Sequence, residues 1–206
     1  MKNETTRQAA DRKVAQSINN STTLHIESIF ELVNSPTYNS STIPVLVKLI
    51  EEGVDDDLIL EGVVRSLTNP KAKGIANRPL LDLFDRTSPE SSSLRWAIGN
   101  ALKQIVQESD RDRVMAIVRN RRNGYARQEF VGALGKVATS EIEEMLVTLL
   151  DDEEVAAHAL ESLQKLRSPL GLSKAEYLVV HSKRKAVRDE ARRYLEKAAT
   201  KATNKP

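Results

Sequence analysis

The chain contains no cysteine. That excludes disulfide scaffolds, thiolate zinc sites and cysteine nucleophiles, and it fits a reducing compartment. Aromatic residues make up only 4% of the 206 positions, with eight glycines and seven prolines. A large sheet needs turn residues and β-branched or aromatic runs, so this shortage argues against one. No apolar run approaches the ~18 residues that cross a bilayer. The opening Met1-Lys2-Asn3-Glu4 leads into no apolar signal core. These absences predict a soluble, cytoplasmic protein with no membrane partner. Charge of one sign is scarce as well, the formal net charge being only +2. It is unevenly spread: residues 1–108 carry a net −2 and residues 109–206 a net +4. That bias is too weak to imply nucleic acid by itself.

What is abundant is Ala, Leu, Glu, Lys and Arg, a helix-forming composition. Helical stripes recur along the chain, and they can be aligned on one leucine apiece: Leu67, Leu102, Leu134, Leu163 and Leu195. Four residues before each stand Val63, Ile98, Phe130, Ala159 and Ala191. Eight before stand Ile59, Leu94, Ala126, Val155 and Val187, and three after stand Pro70, Ile105, Val137, Leu166 and Ala198. Offsets of −8, −4, 0 and +3 share one face of an α-helix. Each such helix follows another with its own stripe: Val45, Leu46, Leu49 and Ile50; Leu80, Leu81, Leu83 and Phe84; Val114, Ile117 and Val118; Ile142, Met145, Leu146, Leu149 and Leu150; Tyr177, Leu178 and Val180. An in-register repeat of paired helices predicts an all-α solenoid of about five hairpins.

Local signals agree. Pro44 falls in a first turn behind Ser41-Thr42, and Ser140 with Glu143 has the spacing of a capping box. Upstream, residues 23–34 read as a short helix whose Ile29, Val33 and Pro36 echo Val63, Leu67 and Pro70, and roughly 5–18 as a polar helix. The predicted organisation is a helical cap or partial repeat over 1–40, the solenoid over 41–199 and a frayed polar tail over 200–206.

The segments Ala126–Val137 and Ala156–Leu163 resemble the second helix of HEAT repeats, in the short bacterial form of phycobilisome-lyase-like proteins. Arginine at the family's place, seven before the anchor, is present as Arg95, Arg127 and Arg188 and missing in the repeats with Leu60 and Ala156. The resemblance covers about 40–199. It implies the fold, while function is left open among many roles.

Chemistry-bearing motifs are few. The three histidines, His25, His158 and His181, are scattered, and no His-Glu dipeptide occurs, so no metal is expected. There is no Gly-x-Ser-x-Gly elbow and no glycine-rich phosphate loop, hence no catalytic residue and no cofactor to nominate. Gly99, Gly132 and Gly135, within helices, predict close helix approach. The acidic runs at 51–57 and 151–154 lie ahead of second helices, where carboxylates favour the N-terminus.

Two surfaces are expected to bind. In HEAT-like stacks the second helices line the concave side, which places Trp96, Asn100, Lys103, Gln128, Gln164 and Arg193 there. An exposed tryptophan suits a binding hot spot; an indole packed over a neighbouring helix is the structural alternative. The second surface is a basic rim of Arg119, Arg121, Arg122 and Arg127 at one loop, and Lys183, Arg184, Lys185 and Arg188 at its equivalent two repeats on. It either pairs with the Asp151–Glu154 loop between them or meets phosphate or acidic protein. That acidic loop argues against continuous duplex tracking.

The function expected is a non-catalytic scaffold binding a protein through the concave face, in an adaptor, regulatory or immunity-type role. Nucleic-acid binding through the basic rim is the alternative. A third is an enzyme resembling HEAT-like DNA glycosylases or chromophore lyases, although Asn100 rather than an acid follows Trp96 by one turn.

Overall fold

The repeat register converts directly into burial. In the computed structural model, which describes residues 5–33 and 40–203, four of the five anchor leucines, Leu67, Leu102, Leu134 and Leu163, are fully buried. So are Val63, Ile98, Phe130, Ala159 and Ala191, one turn earlier. Leu195 and Ala198 are only half-buried, because their helix ends the last hairpin; Leu166 is half-buried at the end of its helix, and Pro70 is exposed in the loop.

The described residues are helical, with no strand among them. In order, α1 is Thr6–Ser21, α2 Phe30–Val33, α3 Thr42–Glu52, α4 Asp57–Ser66, α5 Asn77–Arg86 and α6 Ser92–Ile105. Then follow α7 Arg111–Arg119, α8 Arg127–Leu134, α9 Ser140–Leu149, α10 Ala156–Leu166, α11 Leu172–His181 and α12 Lys185–Thr203. Among the described residues, no helix is long and apolar enough to cross a membrane.

The chain divides into two compact units, residues 1–110 and 111–206. In the first, α3 pairs with α4 and α5 with α6, while α3 packs on α5 and α4 on α6. Helix α1 lies against α3, and α2 against α4. In the second unit the pairs are α7–α8, α9–α10 and α11–α12, with α8, α10 and α12 stacked in succession. Close approach within a stack uses small residues. A Cβ on Gly135 would stand 3.1 Å from the Ser162 side chain, and the Ser162 hydroxyl donates to the Val131 carbonyl at 3.2 Å. On Gly62 it would stand 2.9 Å from Ile29.

Several expectations need correction. The helix expected over 23–34 is not continuous: of its described residues, 23–33, only Phe30–Val33 is helical, because Asn19 captures the Ile26 backbone at both N–H and C=O and Asp11 accepts the Ile29 N–H. Pro36 lies outside the described residues. The cap of α9 is Thr139, which accepts the Ile142 N–H, so Ser140 is already inside the helix. Tyr177 and Val180 are 61% and 71% exposed; of the expected stripe α11 buries Leu178, together with Ala175. Helix α12 runs through the supposed tail to Thr203, and 204–206 lie outside the described residues.

Buried leucine in this register is a stability statement. Leu134→Ala should cost about 2–5 kcal/mol, whereas exposed Lys136→Ala should stay within about 0.5 kcal/mol. Urea denaturation of the two variants measures the difference, and equal midpoints would contradict the register.

Candidate binding surfaces

A helix leaves its last four carbonyls without internal donors. In this chain those of the first helix in every hairpin receive a cation. Arg95 donates to Phe84 O at 3.3 Å and Thr87 O at 2.7 Å, at the end of α5. Arg127 donates to Val118 O at 3.3 Å, at the end of α7, and to Gly124 O at 3.1 Å. Arg188 donates to Ser182 O at 2.7 Å, at the end of α11. In the two hairpins that lack this arginine, the following hairpin's first helix supplies the donor. Arg86 reaches back to Ile50 O on α3, and Lys174 to Val147 O on α9 at 3.3 Å. Cations here also match the negative end of the helix dipole.

This assigns part of the expected basic rim to the interior. Arg127 is 1% exposed, and besides the carbonyls it holds Asp152 at 2.9 Å and Glu154 at 3.0 Å. Arg188 is half-buried on its carbonyl. Arg127 therefore presents no charge to a ligand, which corrects that member of the rim as read from the sequence. The exposed members are Arg119, Arg121, Arg122, Lys183, Arg184 and Lys185. Arg119 pairs with Glu141 at 3.0 Å, Arg121 with Asp152 at 3.6 Å and Lys185 with Asp189 at 2.7 Å. The Arg184 guanidinium donates to Glu153 O at 3.0 Å.

The acidic loop between these clusters is consumed by its neighbours. Asp151 pairs with Lys174, Asp152 with Arg127 and Arg121, and Glu154 with Arg127. Glu153 accepts the Ser182 hydroxyl at 2.8 Å and the Lys183 N–H at 3.1 Å. Burial pushes the Asp152 carboxyl upward, but the Arg127 hydrogen bond, the Glu154 N–H and the charges of Arg127 and Arg121 outweigh it and hold it below the usual range. The other acidic run also caps a helix: Asp56 accepts the N–H groups of Leu58 and Ile59 and an Arg7 contact.

The residues expected on a concave face are divided between the units. In the first, Trp96, Asn100 and Lys103 share the solvent side of α6, each half-buried. The Arg65 guanidinium of α4 sits 5.5 Å from the Trp96 ring centre and is itself held by Glu61 at 2.6 Å. Leu58, two turns before Arg65 on the same face of α4, is exposed. The sequence reading missed Arg65 because only the fold sets α4 beside α6. In the second unit Gln128 donates to Glu154 O at 2.9 Å, Gln164 accepts from Lys197 at 2.9 Å, and Arg193 pairs with Glu190 at 2.9 Å. Those three are engaged in holding their own unit.

His25 and His181 are exposed and His158 half-buried; among the described residues, no three His, Asp or Glu side chains form a group able to hold a metal ion. Comparison with protein-family models, with curated proteins and with solved structures finds no match to this chain.

Arg127→Leu should destabilise the second unit by about 3–5 kcal/mol, since it strands buried carboxylate and carbonyl partners, whereas Arg122→Leu should change little. The Asp152 contribution carries a pH signature. A carboxyl held below its unfolded value of ~3.9 stabilises above that pH, and the gain is lost as pH falls through the folded value. The advantage of the native chain over Asp152→Asn, read from melts between about pH 7 and 3, should therefore be full at neutrality and shrink below pH ~3.9.

Proposed function

We propose that this chain is a non-catalytic, cytoplasmic scaffold of HEAT-like α-solenoid repeats that binds another protein. The contact surface is the solvent side of α4 and α6 in the first unit. The observation that carries this reading is the Trp96–Arg65 pair, a half-buried indole beneath a guanidinium fixed by Glu61. Tryptophan and arginine dominate the energetic centres of protein interfaces, and they do so best when already oriented. Leu58 adds apolar area two turns along α4, and Asn100 and Lys103 a polar margin, the usual anatomy of a contact patch. The cation–ring contact, worth about 0.5–1 kcal/mol when exposed, strengthens once a partner excludes water from it.

Affinity capture from nuclease-treated lysate of the source cell tests this reading. The partner retained by the native chain should bind Trp96→Ala and Arg65→Ala more weakly by over ~1 kcal/mol each, measured by calorimetry. Retention undiminished in both variants would refute the assignment.

A further inference from the structure

The second unit carries a different surface at its loop edge, where two aromatic groups stand among cations. Tyr125 is 43% exposed and follows Arg121 and Arg122 in the loop between α7 and α8. His181 is exposed and precedes Lys183 and Arg184 in the loop between α11 and α12. It stacks on Tyr177, with ring centres 4.1 Å apart and planes 12° from parallel. We propose that this edge binds single-stranded nucleic acid, Tyr125 and His181 stacking on bases while Arg122, Lys183 and Arg184 hold phosphates.

Three observations carry the assignment. First, the loop backbones are fixed before any ligand arrives. Asn120 accepts the Arg122 N–H at 3.2 Å, Asn123 donates to Ile117 O at 2.9 Å, and Gly124 takes the turn at φ 54°. At the other loop Glu153 clamps both the Ser182 hydroxyl and the Lys183 N–H. Second, the acidic loop that lies between them is no barrier to phosphate, because its four carboxyl groups are bound by Lys174, Arg127, Arg121, Ser182 and the Lys183 backbone. Arg122 and Lys183 have no side-chain partner among the described residues. Third, the spacing suits a strand. Two steps of helix packing at about 8–10 Å separate the loops by about 20 Å. That is about six stacked nucleotides at ~3.4 Å each, at the short end of single-strand sites, which run from about 4 to 16.

Exposed aromatics select the single strand over the duplex. A paired base hides its π-face in the stack, whereas an unpaired one offers it to a ring whatever its identity. A protein ligand would use the cations but gain little from aromatics this widely separated.

The test uses the full chain and labelled oligonucleotides about 12 nucleotides long, dT and rU single strands and a mixed duplex, read by fluorescence anisotropy. The expected result is micromolar binding of the single strands at about 0.05 M salt, with the duplex at least fivefold weaker. The log–log salt slope should be about −2, three phosphate contacts at ~0.7 each. Arg122→Glu and Lys183→Glu should each weaken binding about tenfold, and so should Tyr125→Ala, while Tyr125→Phe retains it. Trp96→Ala should leave it unchanged. Circular-dichroism melts confirm that each variant folds, which the exposure of these side chains favours. No binding, equal binding of duplex, or full affinity in both Tyr125→Ala and His181→Ala would overturn the proposal.

Discussion

In each hairpin of this protein the first helix ends on carbonyls that take a cation from outside that helix, and the rest of the structure is arranged around that contact. An orphan carbonyl turned toward a packed neighbour loses water and gains nothing unless a donor reaches it. Lysine and arginine reach far and oppose the helix dipole at its negative end. Three hairpins solve the problem internally, with Arg95, Arg127 and Arg188 rising from the first turn of the second helix. Two solve it from outside, with Arg86 and Lys174 reaching back from the next hairpin. The internal solution fixes the angle of a pair; the external one also fixes the register between consecutive pairs. Burial pulls the Arg95 guanidinium below its ordinary value against the opposing charge of Asp85, yet Phe84, 3.9 Å away across its ring face, gives the charge a compensating surface.

This device was half visible in the sequence. Arginine seven residues before the anchor repeats at three positions and could be noticed as a pattern, but its meaning could not. Seen as composition, Arg127 belongs with Arg121 and Arg122 in a basic cluster; in space it is the most buried of them, because a helix start turns it inward. The substitutes, Arg86 and Lys174, obey no spacing rule relative to the hairpins they serve, so no periodicity exposes them. The core was legible for the opposite reason. Its residues are set by a single repeated helical face, and a 3.6-residue period reads the same in sequence and in space. Where the face belongs to a terminal helix, that logic weakens: Tyr177 and Val180 look like core in a stripe but stand in solvent, since no further helix packs over them among the described residues. The 23–34 segment failed because side chains of Asn19 and Asp11 offered its backbone a better partner than a helix would.

The candidate sites follow from subtraction. Once each cation required by a carbonyl or a carboxylate is assigned, the cations left for a ligand are few, and Arg122 and Lys183 on the loop edge of the second unit are among them. The same subtraction among the polar groups expected on the second helices removes Gln128, Gln164 and Arg193, whose bonds close within their own unit. It leaves the Trp96 region of the first unit, where an aromatic and a guanidinium meet with part of both still exposed. Charge counting over the whole chain hides this division, because the consumed and the presented charges carry the same sign.

Pinned loops also bear on how tightly such surfaces can bind. Ordering a flexible basic loop on a ligand costs about 0.5–1.5 kcal/mol for each side chain immobilised, before any backbone term. Here the backbone has been ordered for another reason, since Asn120, Asn123 and Glu153 hold the loops that join the paired helices. Only the ends of Arg122, Lys183 and their neighbours are left to immobilise. A structural requirement, the closing of helix ends, therefore supplies the preorganisation that a binding edge needs, and the residues that provide it are different from those that would touch the ligand. That separation is why the interior arginines can be fixed by the fold while Arg122 and Lys183 stay available to meet a partner's charge.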